Sequence, residues 1–294
     1  MNHIHYANAM TVLRAQPFTA EEFALIESAA ADLPWEQLSP MIDELQHPAT
    51  AEAAKNAAYA LIAPQDIAHK GLAGMCVFAA AMYGSAVRLA ALGMPHKVLH
   101  DTFCCLHRMA GEYRREFDCL GFDRGFWVWR QACLRIVRLG TLEYEYKLLE
   151  DEDAGELGMA KGTPVLSVHI PSGADLSREA LDDSYAQARS LFAAYPQLCG
   201  PDGKTPEAIY CGSWLLCPTL RTLLKENSGI RRFAEDFELH FIREKSNGYL
   251  HFLFWTGSDT PVADYPEDTS LQRAVKAHLL AGGSIGSAAG LLKR

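Results

Sequence analysis

The sequence predicts a mixed α+β protein, with an all-α first half followed by a mixed β-sheet flanked by helices, and three features predict it. From Phe18 to Phe117 apolar residues recur at spacings of three and four between Pro and Gly breaks, the period of helices that each bury one stripe. At Leu142-Glu-Tyr-Glu-Tyr-Lys-Leu148 the period drops to two, which reads as a strand with one buried face. Val165-Leu-Ser-Val-His-Ile-Pro-Ser-Gly173 is a short apolar strand that runs through a turn into an amphipathic stretch from Ser177 to Ala194. A strand that feeds a helix start gathers backbone N–H groups around one point, a common way for an α/β sheet to hold an anion.

Residues 1–16 carry little pattern, and His3 and His5 read as a disordered start. Thr19 then caps a helix whose first turn holds Glu21 and Glu22 at the positive end of the dipole. Helices follow over Trp35 to Leu45 and Thr50 to Ile62, the second stopped by Pro64, which removes a donor. Ile67 to Leu92 reads as one long helix, and its uncharged core from Gly71 to Val87 is too short to span a bilayer, so it is taken as buried. Pro95 to about Phe117 carries Leu99, Phe103, Leu106 and Ala110 on one stripe. Phe122 to Arg138 reads as a hinge helix; its arginines at 124, 130, 135 and 138 either pair with carboxylates of the neighbouring domain or bring one guanidinium to a phosphate.

Beyond Gly140, Glu150 to Glu156 reads as an acidic loop and Cys199 to Pro206 as a second loop, leading into a strand from Ala208 to Leu216. Pro218 opens a helix that breaks at Asn227-Ser-Gly229 and resumes to Phe237. Glu238 to Glu244 and Tyr249 to Trp255 read as two strands of a hairpin turned at Lys245-Ser-Asn-Gly248. A helix from Ser270 to Leu280 precedes a Gly-Ser-Ala-rich end with no assigned structure. Helical crossovers join parallel strands and hairpins join antiparallel ones, so the sheet must be mixed. The expected domains are 1–138, helical, 139–258, the sheet, and 259–294, a helix and tail packed on them.

A formal net charge of -9 over 294 residues argues against a nucleic-acid or anionic-membrane surface, both of which need a basic face, and favours a small-molecule substrate. The cysteines at 76, 104, 105, 119, 133, 199, 211 and 217 form no CxxC pair, which points to reduced thiols. Met1-Asn-His-Ile-His-Tyr6 lacks the charged-then-apolar order of a signal peptide, so a cytoplasmic location is expected.

Four segments carry a resemblance: Arg138-Leu-Gly-Thr-Leu-Glu-Tyr-Glu145, Val168-His-Ile-Pro-Ser-Gly-Ala-Asp-Leu176, Gly212-Ser-Trp-Leu-Leu-Cys-Pro218 and Asn227-Ser-Gly-Ile-Arg-Arg-Phe233. They are similar to a bacterial family of acyltransferase domain-containing proteins that join a helical N-terminal domain to a GNAT-like C-terminal domain. The resemblance implies a CoA-dependent N-acyltransferase using acetyl-CoA or another acyl-CoA on a small amine. It also implies that Val168 and Ile170 hold the pantetheine arm while Pro171, Ser172, Gly173 and Ala174 form the phosphate loop. Pro171 to Leu176 has one glycine where the family loop has two, and Asp175 stands where phosphates are expected. A non-catalytic GNAT-like module that binds a metabolite or a protein is the alternative.

The chemistry-bearing residues cluster on two strands. His169 lies near the carboxyl end of its strand, where it serves as a general base for an incoming amine or as a core histidine donating one hydrogen bond. Tyr210 and Ser213 lie on the next strand, the tyrosine placed to protonate a leaving thiolate. Cys211 with His169 as its base would be a thiol enzyme, although such cysteines are mostly inert core residues. Glu143 and Glu145, like Asp182 and Asp183, read as solvated faces. His96, His100 and His107 share a helical face with no further ligand indicated, so no metal is expected; Trp214 and Trp255 read as core.

Overall fold

The structure, a computed structural model, describes residues 3–200, 203–244, 246–256 and 259–293. Pro201 and Asp202 of the second loop and Lys245 of the expected hairpin turn lie outside these. The chain divides into two compact units, Met1–Arg138 and Leu139–Arg294.

The first unit is helical: α1 (Ile4–Arg14), α2 (Ala20–Ala31), α3 (Trp35–Glu44), α4 (Ala51–Ala68), α5 (Leu72–Ala90), α6 (His96–Phe103), α7 (Cys105–Phe117) and α8 (Gly125–Ala132). The centre is α5, buried without a break from Leu72 to Met82 and packed by α1, α2, α3, α4 and α8. A helix enclosed by neighbours needs no polar face, which is why its sequence is apolar all round. As expected, Thr19 caps α2, in a reciprocal capping box with Glu22.

Four expectations fail in this unit for identifiable reasons. His3 and His5 are ordered: His3 Nδ1 accepts from the His5 amide at 3.2 Å, and His5, 7% exposed, meets Ser39 Oγ at 2.9 Å. Pro64 does not stop α4, because the stripe Ala51, Ala54, Ala58 and Ile62 is already buried and holds the helix through the proline. The expected long helix begins only at Leu72, since Lys70 and Gly71 take positive φ and turn the chain. At that corner Phe122 N donates to Lys70 O at 2.8 Å, and a Cβ on Gly71 would lie 1.6 Å from Phe122 O. The expected hinge helix also ends early. Leu134 takes φ 59°, and the β-branched run that follows forms a strand. Arg124 pairs inside its own unit, with Asp123 at 2.7 Å and Glu112 at 3.8 Å.

The second unit holds a mixed sheet, six-stranded with a first strand that starts just before the boundary. Its strands are β1 (Ile136–Leu139), β2 (Leu142–Leu148), β3 (Pro164–His169), β4 (Ala208–Ser213), β5 (Phe237–Arg243) and β6 (Ser287–Leu292), in the order β1-β2-β3-β4-β6-β5. β2 and β3 are antiparallel, β3 and β4 parallel, and β6 runs antiparallel to both β4 and β5. The helices are α9 (Asp151–Leu157), α10 (Arg178–Ala194), α11 (Pro218–Leu223), α12 (Gly229–Glu235), α13 (Tyr249–Phe254) and α14 (Ser270–Leu280).

The mixed sheet stands, but the expected hairpin does not. Tyr249 to Phe254 is helical because Tyr249, Leu253 and Phe254 fall on one face and enter a cluster with Leu215, Leu220, Tyr265, Val275 and Ile285. The partner of β5 is instead β6, drawn from the end left without structure. β6 is made of small residues because its neighbours come close: a Cβ on Gly290 would lie 2.5 Å from Glu238 O. The acidic segment expected as a loop forms α9, its acids in the first turn and Ala154 and Leu157 buried.

Two predictions test this packing. Gly71→Ala would strain a left-handed residue and push into a backbone carbonyl, so thermal denaturation should show a loss of at least about 2 kcal/mol. Burial holds the His5 imidazole below its ordinary 6.5, against the pull of Asp43, so its neutral form is favoured in the fold. Its contribution is complete above pH 6.5 and lost as the pH falls below that value. Calorimetry should therefore show less acid-induced loss of melting temperature between pH 7.5 and 5.5 in His5→Gln than in the wild type.

Candidate active site

The central pair of strands parts. Its parallel ladder joins Val165, Leu166 and Ser167 to Ala208, Ile209 and Tyr210, yet β3 runs on to His169 and β4 to Ser213. Each extension is held from its outer side. β2 stays in register with β3 up to the pair Glu143 and His169, and β6 stays with β4 from Tyr210 to Ser213.

The registers sort the side chains, since paired residues share a face and successive residues alternate. One face carries Glu143, Glu145 and Lys147 of β2, Ser167 and His169 of β3, and Tyr210 and Gly212 of β4. The other carries Tyr144, Val168, Cys211 and Ser213 and is covered by α10, where Tyr144 Oη meets Ser184 Oγ at 3.0 Å. The first face is covered by α9, so it is polar and yet enclosed.

On that face His169 Nε2 lies 3.1 Å from Glu145 Oε2, and the Glu145 side chain is only 7% exposed against 23% for the histidine. With Glu145 ionised its oxygen only accepts, an arrangement that places the proton on Nε2 and leaves the basic lone pair to Nδ1. Further along, Tyr210 Oη donates to Asp153 Oδ1 of α9 at 3.3 Å. Lys147 Nζ meets Asp153 Oδ2 at 2.5 Å and stands 5.0 Å from the Tyr210 ring centre. Burial, then the Asp153 charge, pushes the Tyr210 hydroxyl well above its ordinary value, so it keeps its proton through the alkaline range. Gly212 leaves room for that hydroxyl: a Cβ there would lie 2.6 Å from it.

The strand ends in a turn, with Ala174 N donating to Pro171 O at 3.2 Å and Gly173 at φ 77°. Asp175 Oδ1 then accepts from Ser177 N at 2.8 Å and Ser177 Oγ from Ala180 N at 3.4 Å, which caps α10.

Comparison with known families matches both units of the chain. A family model described as the GNAT-like C-terminal domain matches residues 136–292, and one described as the N-acyltransferase N-terminal domain matches residues 6–134. The chain belongs to the GNAT-like acyltransferases. Similar solved structures include an acyltransferase in complex with CoA and 10C-Teicoplanin, 26% identical, covering 77% of this chain and 67% of that one at a TM-score of 0.65. Another, an acyltransferase in complex with decanoyl-CoA and teicoplanin, is 24% identical over 97% of this chain and 87% of that one, with a TM-score of 0.78. An acyltransferase variant in complex with octanoyl-CoA is 23% identical over 98% of this chain and 88% of that one, with a TM-score of 0.76. The last two likenesses bear on the fold alone. No curated protein sequence matches the chain.

Within this GNAT-like unit His169 and Tyr210 share a face, whereas Ser213 lies on the other and its Oγ accepts from Leu215 N at 3.1 Å, capping a short turn. Cys211 is wholly buried on that opposite face, its thiol pushed up by burial, so the structure does not bring it to His169. Glu143 and Glu145 are not solvated: they are 3% and 6% exposed, because the sheet is covered on both faces. Sequence reasoning missed Glu145, Lys147 and Asp153. The alternation in β2 set Glu143 and Glu145 on one face, and only the antiparallel pairing with β3 makes that the face of His169. Among the described residues no group of three His, Cys, Asp or Glu side chains is arranged to hold a metal ion.

Gly212→Ala should displace the Tyr210 hydroxyl from Asp153 and cost about 1 kcal/mol in urea unfolding. In a Tyr210→Phe background the same change should cost less, and a double-mutant cycle reads the difference.

Proposed function

We propose that this protein is a CoA-dependent N-acyltransferase acting on a small amine. The observation that carries the reading is the parting of β3 from β4 with the His169–Glu145 pair at its end, in a unit that belongs to a GNAT-like family. The CoA complex of the 26% identical acyltransferase supports the choice of donor.

The residues present suit an extended thioester donor. Val168 and Ile170 follow the last ladder pair of β3 and β4, and we assign them to the pantetheine arm and the turn of Pro171, Ser172, Gly173 and Ala174 to the phosphates. A Cβ on Gly173 would meet nothing within 4 Å, so that turn is open. Acyl-CoA, when bound, supplies an acyl group activated as a thioester. His169 Nδ1 takes the proton from the amine as its nitrogen bonds to the acyl carbon and the carbon–sulfur bond breaks. Glu145 orients the ring through Nε2 and stabilises the imidazolium that forms. The imidazolium then returns that proton to the departing sulfur, while Tyr210, its proton held by burial and Asp153, is left without a step. Ser213 has no step. The eight free cysteines suit a reducing cytoplasm.

Calorimetry with acetyl-CoA and longer acyl-CoAs should show binding, and silence up to millimolar concentration would reject the donor. Thiol release across a panel of amines should fall about 10²- to 10⁴-fold in kcat for His169→Ala, with KM for the donor little changed. Undiminished turnover would remove His169 from the mechanism. If acyl-CoA binds but no amine is acylated, the non-catalytic module is the better reading.

A further inference from the structure

The turn after β3 is poorly equipped to hold phosphates by itself. Asp175 occupies the Ser177 amide at 2.8 Å and Ser177 Oγ the Ala180 amide at 3.4 Å, so donors at the start of α10 already face the protein's own oxygens. Asp175 also adds a negative charge where a pyrophosphate would add two more. Compensating positive charge must come from another element.

That element is α12. Its first turn is pressed against the end of the loop, where a Cβ on Gly229 would lie 3.0 Å from Leu176 Cβ, and Arg232 Nη1 donates to Leu176 O at 3.0 Å. Neighbouring arginines are paired with carboxylates. Arg178 is forked onto Asp236 and meets Asp182, and Arg221 and Arg231 both meet Glu235. Arg232 meets no carboxylate among the described residues. A carbonyl fixes a guanidinium without cancelling its charge, and four of its five donors remain for an anion.

Resting on the acyl-CoA reading above, we infer that Arg232 binds the pyrophosphate of CoA, replacing the backbone amides that a second loop glycine would have exposed. Asp175 opposes it and weakens the same contact. Arg232 is the part that the segment Asn227 to Phe233, singled out in the sequence, contributes to the site.

Calorimetry with decanoyl-CoA and with decanoyl-pantetheine, which keeps the arm and loses the nucleotide, tests this. Arg232→Gln should weaken decanoyl-CoA about ten- to hundredfold, leave decanoyl-pantetheine unchanged and flatten the salt dependence of CoA binding. Asp175→Asn, which keeps the oxygen that accepts from Ser177, should tighten decanoyl-CoA severalfold and leave decanoyl-pantetheine alone. The assignment is overturned if Arg232→Gln binds decanoyl-CoA like the wild type, if both ligands weaken equally, or if Asp175→Asn changes nothing. A wild-type protein that binds neither ligand rejects the acyl-CoA reading itself.

Discussion

Two parallel strands that are hydrogen-bonded for three residues and then separate, each still held on its outer side, set the geometry of everything around them. β2 follows β3 to its last residue and β6 follows β4 to its last residue, so the separation is built from continuous ladders on both flanks and involves no local disorder of the sheet. Strand edges in such a gap are where an extended ligand can take ladder hydrogen bonds. That is why the proposed donor is placed along Val168 and Ile170.

The enclosed polar face is the second constraint. Buried carboxylates are costly unless each finds a cation or a donor, and here Glu145 has His169 while Asp153 has Lys147 and Tyr210. The helix that carries Asp153 is itself tied down, Arg243 of β5 reaching Glu152 at 2.9 Å and Glu156 at 2.7 Å. Position on this face is therefore set by ion pairs that cross from one strand to another and up to α9. A site assembled this way keeps the imidazole and the phenol on rigid elements.

Legibility in the sequence followed how local each cause was. The cap at Thr19, the strand β3, the helix from Ser177 and the helix from Ser270 depend on neighbours within a few residues, and each formed where the pattern put it. β6 was invisible for the opposite reason. Ser-Ala-Ala-Gly has little intrinsic preference for a strand and becomes one only because β4 and β5 leave a narrow place between them. The aromatic run at Tyr249 reads as a strand on composition, and a cluster that needs Tyr249, Leu253 and Phe254 on one side makes it helical.

The sequence by itself determined that a helical half precedes a mixed sheet, that His169 ends a central strand, and that Tyr210 lies on the strand beside it. Periodicity and turn chemistry act within a few residues, so one chain suffices to read them. Only the tertiary structure decided that Glu145 meets His169, that Asp153 meets Tyr210, and that Arg232 comes to rest on Leu176. Those pairs are 24, 57 and 56 residues apart along the chain, and strand register and helix packing, which no local pattern encodes, bring them together.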